Sequence, residues 1–398
     1  MSEDIVRKEN ESMAKVYWKR PLTINLGKGA ILWDGDGKSY IDMTSNYGVA
    51  ITGHCHPKVV EAIKAQTEKL LSCHGTFYNE ARSNFLEKLI SVTPSGLDRA
   101  FLSNSGTESV EFAFKLARRS TGKTGFIATM GCFHGKTMGA LSATWNKKYR
   151  TPFLPLVPGF KHVPYGNSER MAQAIDDDTA AIIVEPIQGE SGINVPPEDY
   201  LPQLRELCDD RGVLLILDEI QTGMGRTGKW FACQHHGITP DIICISKAVA
   251  SGLPMGVTIA TEDVMSKLKM GDHSSTFGGG PIACAAAGAT IDVIKEEGLV
   301  ERAAESGNYL MGKLRGLAEK YRIVREVRGR GLMIGMELRF DVLNIIMGAL
   351  ERGVLVLDAG RTVVRMLPPL VIDRGQIDAA VSVLDQILEA EQAERLRG

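Results

Sequence analysis

A chain of 398 residues, 44% hydrophobic and 24% charged, can bury more than one large core, and its composition is not that of a disordered protein. Its formal net charge of −2 gives no electrostatic reason to bind nucleic acid or an anionic membrane. The opening MSEDIVRKENESMAKVYWKRP lacks the apolar centre of a secretory signal, and runs such as VLLIL (213–217) are far shorter than the roughly 20 residues of a membrane span.

In chain order, the first predicted element is a hairpin over ILWDGDGKSYID (31–42), where Asp-Gly turns separate alternating apolar residues. An amphipathic helix follows at Glu108–Arg119. Short strands rich in Ile, Val and Leu are predicted at Phe126–Thr129, Ala181–Glu185, Val213–Asp218 and Asp241–Ser246, with a helix at Tyr200–Asp210 among them. Strands alternating with helices imply an α/β fold with a mostly parallel sheet covered on both faces. The chemistry of such a sheet gathers at the carboxyl ends of its strands.

From about residue 290 the texture changes. A helical pattern over Thr290–Tyr321, broken near Gly298, leads to a strand-like VREVRGRGLMIGMEL (324–338). Another helix, the segment VLVLDAGRTVVRMLPPLVI (354–372) and a terminal amphipathic helix complete the chain. This reads as a smaller α+β domain, joined by the N-terminal hairpin. The predicted division is an arm and part of the small domain at 1–50, a large domain at 51–290 and the rest of the small domain at 291–398. The seven cysteines are odd in number and form no Cys-x-x-Cys pair, which predicts reduced thiols in a cytoplasmic protein.

Three features carry chemistry. Ser105-Gly106-Thr107-Glu108 opens a helix, where small residues let backbone N–H groups approach an anion such as a phosphate; taken alone it reads first as a plain N-cap. Asp218 ends an apolar strand, where a carboxylate can face a protonated ring nitrogen. Lys247 follows another buried strand, where desolvation lowers its pKa and makes its amine nucleophilic. Phosphate cup, strand-end Asp and strand-end Lys fall in that order along one sheet edge.

These features stand inside longer segments: GHCHPKVVEAI (53–63), SNSGTESVEFAFKLAR (103–118), FHGKTMGALSAT (133–144), VEPIQGESG (184–192), LDEIQTGMGRTGKW (217–230), PDIICISKAVASGLPMG (240–256), STFGGGPIAC (275–284) and VRMLPPLVI (364–372). Through them, and across nearly its whole length, the chain resembles the class III (ω-amino) aminotransferases of PLP fold type I. It is most similar to the ornithine, acetylornithine and carrier-protein-linked lysine/ornithine branch.

The resemblance implies pyridoxal 5′-phosphate (PLP) as cofactor, an ω-amino donor with 2-oxoglutarate as acceptor, and a homodimer with active sites at its interface. It places Ser105, Gly106 and Thr107 at the phosphate, with Thr276 reaching the phosphate in the neighbouring subunit. Phe133 and Ile220 would cover the two ring faces, Asp218 the ring nitrogen and Gln221 the 3′-oxygen. Lys247 would hold the cofactor as a Schiff base and then shuttle the proton. Arg365 would bind the α-carboxylate of glutamate and pair with Glu190 when an ω-amino donor enters. Lys136 stands where the family carries a second carboxylate-binding arginine, and it cannot offer the planar guanidinium fork. Tyr47 and Tyr78 match positions that contact substrate. Other reactions on the same scaffold are 4-aminobutyrate transamination, or aminomutase, decarboxylase or racemase chemistry.

Other signals lead elsewhere. Gly223-Met-Gly225-Arg-Thr-Gly228 formally matches a dinucleotide-binding fingerprint, but it lies too far from its strand for a Rossmann turn. His54-Cys55-His56 lacks further ligands at metal-site spacing and reads as buried polar packing. His235-His236 reads as solvated surface. Lys147, Lys148 and Arg150 form a small basic patch, a docking surface if the substrate arrives on an acidic amino-group carrier protein.

Overall fold

The computed structural model describes residues 2–396. Its largest element is a seven-stranded sheet in the order Arg99–Ser103, Gly256–Ala260, Ile242–Ile245, Leu214–Asp218, Thr179–Val184, Gly125–Thr129 and Phe160–Val163. Gly256–Ala260 runs antiparallel to both of its neighbours, and the other adjacent strands pair in parallel. The mostly parallel sheet expected from the apolar runs is therefore present.

Strand period explains how it is covered. Along Thr179–Val184, Ala181 and Ile183 face one core, where they meet Val110, Phe114 and Ala117 of the helix Gly106–Thr121. Ile182 and Val184 face the other, against Leu201, Leu204 and Cys208 of the helix Tyr200–Arg211. Each fully buried Ile or Val stabilises the fold by roughly 1.5–3 kcal/mol, so two covered faces leave little freedom of register.

The remaining strands form two smaller sheets. One is an antiparallel set in the order Val324–Arg330, Met333–Leu338, Val363–Met366 and Leu357–Ala359. The strand-like run 324–338 is therefore two strands turned at Gly331-Leu332, a correction to reading it as one. The other joins Ile24–Lys28, Ile31–Asp34 and Ser39–Asp42 to Val354–Leu355, so N-terminal and C-terminal chain share one sheet. The long helical pattern near residue 290 is two helices, Pro281–Glu296 and Leu299–Lys320, parted at Gly298 with φ +59°. The first begins nine residues earlier than the apolar pattern suggested, because Pro281 is a favoured first helical residue.

The glycine-rich segment 223–228 has a packing role. A Cβ at Gly228 would come within 2.8 Å of Ala304 Cβ, so the segment needs glycine to lie against the helix Leu299–Lys320. Between the glycines Arg226 is fully buried. Its Nη1 donates to the carbonyls of Leu332 (3.1 Å) and Pro368 (2.5 Å), and its Nη2 to Ser45 Oγ (3.2 Å). One guanidinium thus ties the loop to three distant segments. Arg226→Met, which leaves those carbonyls without a donor, is expected to lower the unfolding free energy by about 3–5 kcal/mol. Urea denaturation checks it, and a loss under about 1 kcal/mol would mean the contacts are replaceable.

Candidate active site

The carboxyl ends of the parallel strands converge on a cavity of about 290 Å³. Asp218 ends the strand Leu214–Asp218, Glu185 follows Val184, Phe133 lies beyond Thr129, and Lys247 follows the strand Ile242–Ile245. Gly106, Thr107, Lys136, Glu190, Ile220 and Gln221 complete the wall.

Each side chain is set by local structure. Ser105 caps the helix Gly106–Thr121, its hydroxyl accepting from Glu108 N at 3.3 Å. The first amides of that helix have no intrahelical acceptor and point outward from its start, with the positive end of the helix dipole. Gly106 has a steric reason to be glycine: a Cβ there would lie 2.8 Å from Ile220 Cδ1. Thr107 Oγ1 hydrogen-bonds with Thr137 Oγ1 at 2.7 Å, tying the helix start to the segment after Phe133.

Lys247 sits at φ +39°, in the left-handed region that side chains other than glycine rarely occupy. Strain of this kind, on the order of 1–3 kcal/mol, persists where surrounding structure imposes it and clusters at functional sites. Burial lowers the Lys247 pKa, with Glu190 acting in the opposite sense and Arg365 adding to the fall.

Asp218 is buried and anchored. Its Oδ2 lies 2.7 Å from His134 Nδ1, and its Oδ1 accepts from Ile220 N at 3.1 Å. Burial opposes a charge on the His134 ring, but Cys132 and Asp218 outweigh it and raise the ring's pKa well above its ordinary value. Glu185, also buried, accepts from Phe133 N (2.9 Å) and Gly189 N (3.1 Å), so it shapes the loop carrying the aromatic wall. Burial pushes the Glu185 carboxyl up to about 7, with His134 pulling the other way.

On the substrate side, Arg365 is 1% exposed and its Nη1 donates to Glu190 Oε1 at 2.8 Å. Its Nε is buried without a partner, so the guanidinium has unused donor capacity. Burial pushes the Glu190 pKa up, but Arg365 and Lys247 outweigh it and keep it below the ordinary carboxylate value. The Tyr47 ring lies 5.3 Å from Arg365 Cζ. Ser45, Asn46 and Tyr47 all run at positive φ, a turn held by Asp42 Oδ1 accepting from Thr44 N (2.8 Å) and Ser45 N (3.1 Å).

The residues fit PLP on observations of this chain. The cavity offers apolar side chains in Phe133 and Ile220 for a flat ring, a helix start for a phosphate, a buried carboxylate for a ring nitrogen and an amine for an aldehyde. Gln221 is buried, with its Oε1 unpartnered, and a side-chain amide can turn to give an oxygen a donor.

Of the other expected residues, Ser105 and Arg365 stand one contact behind the cavity wall, beside Gly106 and Glu190, with Tyr47 against Arg365, while Tyr78 and Thr276, the latter expected at the neighbouring subunit's phosphate, do not line the cavity. Thr276 and Tyr78 are exposed, on loops that Arg82 ties together by donating to the carbonyls of Phe77 (3.0 Å) and Gly279 (2.9 Å). Two histidine motifs differ from their sequence reading. In His54-Cys55-His56 the two histidines are partly buried polar packing and only Cys55 is exposed: His54 Nε2 meets Asp42 Oδ2 at 2.6 Å, and His56 Nε2 meets Glu297 at 2.9 Å. His235 is half-buried rather than solvated, its Nε2 lying 3.1 Å from Thr227 O. His134, Glu185 and Arg226 were missed as site and framework residues. His134 and Glu185 adjoin positions already singled out, in FHGK and at a strand's carboxyl end, where their residue types carried the signal.

The Aminotransferase class-III family model matches residues 12–388. An acetylornithine aminotransferase of Methanopyrus kandleri is 50% identical over 376 residues, covering 94% of this chain and 96% of that one. A "[LysW]-aminoadipate semialdehyde transaminase" of Deinococcus radiodurans is 44% identical, covering 94% and 87%. A solved ornithine aminotransferase of Toxoplasma gondii, described with partial occupancy of PLP at its active site, superposes with a TM-score of 0.95 at 34% identity, covering 99% of this chain and 96% of that one.

Proposed function

The chain belongs to the class III aminotransferases, PLP-dependent enzymes, and on that premise we propose that it transfers the ω-amino group of an acetylornithine-type donor to 2-oxoglutarate. The products are a semialdehyde and glutamate. The observation that carries this reading is the closed Glu190–Arg365 pair beside an open Lys136. With Arg365 sealed, a donor has no α-carboxylate site next to Lys247 and must present its far amino group. Its remote carboxylate then falls to Lys136. The dicarboxylate acceptor competes with Glu190 for Arg365, whose planar fork suits a carboxylate.

When bound, PLP supplies an electron sink for the pair left as a proton departs from the amino-bearing carbon. Ser105, Gly106 and Thr107 would hold its phosphate, Phe133 and Ile220 its ring faces, and Gln221 its 3′-oxygen. Asp218, fixed by His134, would favour a positive charge on the ring nitrogen, and Lys247 would hold the cofactor between turnovers. Once freed, Lys247 Nζ would take the proton from the donor's amino-bearing carbon and pass it to the cofactor, a task suited to an amine whose pKa burial has lowered.

A panel of amino donors with 2-oxoglutarate tests the reading, with glutamate formation measured. Acetylornithine is expected to give the highest kcat/KM, above ornithine and 4-aminobutyrate. Activity confined to α-amino donors would overturn it. Product without glutamate would point to an aminomutase, decarboxylase or racemase.

A second reading is a donor carried on an acidic protein. Its support is positional: Tyr149, flanked by Lys148 and Arg150, packs against Phe133 and Lys136, so the basic helix Lys147–Arg150 stands at the cavity edge. The exposed loops bearing Tyr78 and Thr276, with Leu71, Phe77 and Phe277 also exposed, support a homodimer that completes the site across its interface.

A further inference from the structure

Two cations stand on the substrate side, Lys136 in the cavity wall and Arg365 behind Glu190, and each lies against a tyrosine ring. Arg365 Cζ stands 5.3 Å from the Tyr47 centroid, and Lys136 Nζ stands 4.7 Å from the Tyr149 centroid. Arg365 also has an anionic partner in Glu190. Lys136, exposed at the rim, has neither an ion-pair nor a hydrogen-bond partner among the described residues. An ammonium on a flexible four-carbon stem samples a wide volume, and an aromatic face restricts it.

Tyr149 is itself held in place. Its ring packs edge-on against Phe133, with centroids 6.1 Å apart at 80°. Its short helix is capped by Asn146, whose side chain accepts from Lys148 N at 2.9 Å. The residue at the cavity wall and the cation at its rim are therefore connected through one ring.

We propose that Tyr149 is a substrate-positioning residue acting through Lys136, its ring seating the ammonium where the donor's remote carboxylate arrives. The proposal rests on the ω-amino reading above. It follows from the residue at 136: a planar guanidinium brings its own directional fork, whereas a point charge depends on a neighbour for placement.

The test uses the holoenzyme with two donors, acetylornithine and 5-amino-1-pentanol, which lacks the carboxylate. Tyr149→Leu is expected to raise KM for acetylornithine about three- to ten-fold, the range of a partly desolvated cation–π contact, with kcat little changed. Tyr149→Phe keeps the ring face and should stay within about two-fold of the parent. Lys136→Met should match or exceed the Tyr149→Leu effect, and the double variant should add nothing to it. None of these changes should raise KM for 5-amino-1-pentanol. Titration with glutarate, followed by the cofactor's visible absorbance, should rank the variants the same way without turnover. Equal damage from Tyr149→Phe and Tyr149→Leu, additive losses, or equal losses with both donors would overturn the proposal. If the parent uses no ω-amino donor, the donor reading fails by itself, and the glutarate ranking still decides the role of Tyr149.

Discussion

Lys247→Ala is expected to lower the transamination rate by at least about 10²–10⁴-fold, the contribution of a positioned proton-transfer group alone. The amine lies at the carboxyl end of a fully buried strand, in a cavity with Asp218, Glu185 and Glu190. Burial lowers its pKa, which raises the fraction of neutral amine available both for bonding to an aldehyde and for accepting a proton. Substitution removes both tasks at once, so an added amine base can restore at most part of the rate. Folding should survive, since a buried amine is costly to desolvate and alanine is not; thermal unfolding should show no drop in Tm. Borohydride treatment followed by peptide mass analysis gives the direct check. The parent should carry PLP covalently on the peptide containing Lys247, and the variant should not. Covalent attachment persisting in Lys247→Ala would remove this residue from the role.

Asp218→Asn should reduce kcat by about 10²–10³-fold, the usual cost of losing one preorganised electrostatic partner of a reacting group. The carboxylate is buried and bound on both oxygens, by His134 Nδ1 at 2.7 Å and Ile220 N at 3.1 Å. Its direction is therefore fixed before anything enters the cavity. An asparagine can keep one of those hydrogen bonds but carries no charge, so a ring nitrogen opposite it loses its proton. The loss should appear in kcat at saturating PLP, with fold and cofactor affinity measured alongside. A fall of less than ten-fold in a folded, cofactor-loaded variant would exclude Asp218 from this function.

Much of the cavity wall was legible along the chain because its residues sit at strand and helix ends. Asp218 and Lys247 each follow a run of Ile and Leu that only a covered strand requires, and Ser105-Gly106-Thr107 opens a helix marked by its apolar period. Less was legible where a side chain acts on a segment distant in sequence. His134 lies 84 residues from Asp218, and Arg226 is 106 from Leu332 and 181 from Ser45. Strands such as Arg99–Ser103 and Phe160–Val163, at the sheet's two edges, are partly exposed and carry polar residues, so they lack the continuous apolar run that marks the central ones.

What the amino-acid order determined by itself was the alternation of buried strands and amphipathic helices, and with it the sheet edge on which Asp218 and Lys247 fall. Those are consequences of local period and of which residues water excludes. The tertiary structure decided the pairings: Arg365 with Glu190, Asp218 with His134, and Lys136 with Tyr149 rather than with a carboxylate. It also gave the glycine-rich segment 223–228, which strand spacing had already excluded as a nucleotide turn, a role as a packing joint around Arg226. Charge and hydrogen-bond partners act over a few ångströms in space, at any separation along the chain, so only the folded arrangement could assign them.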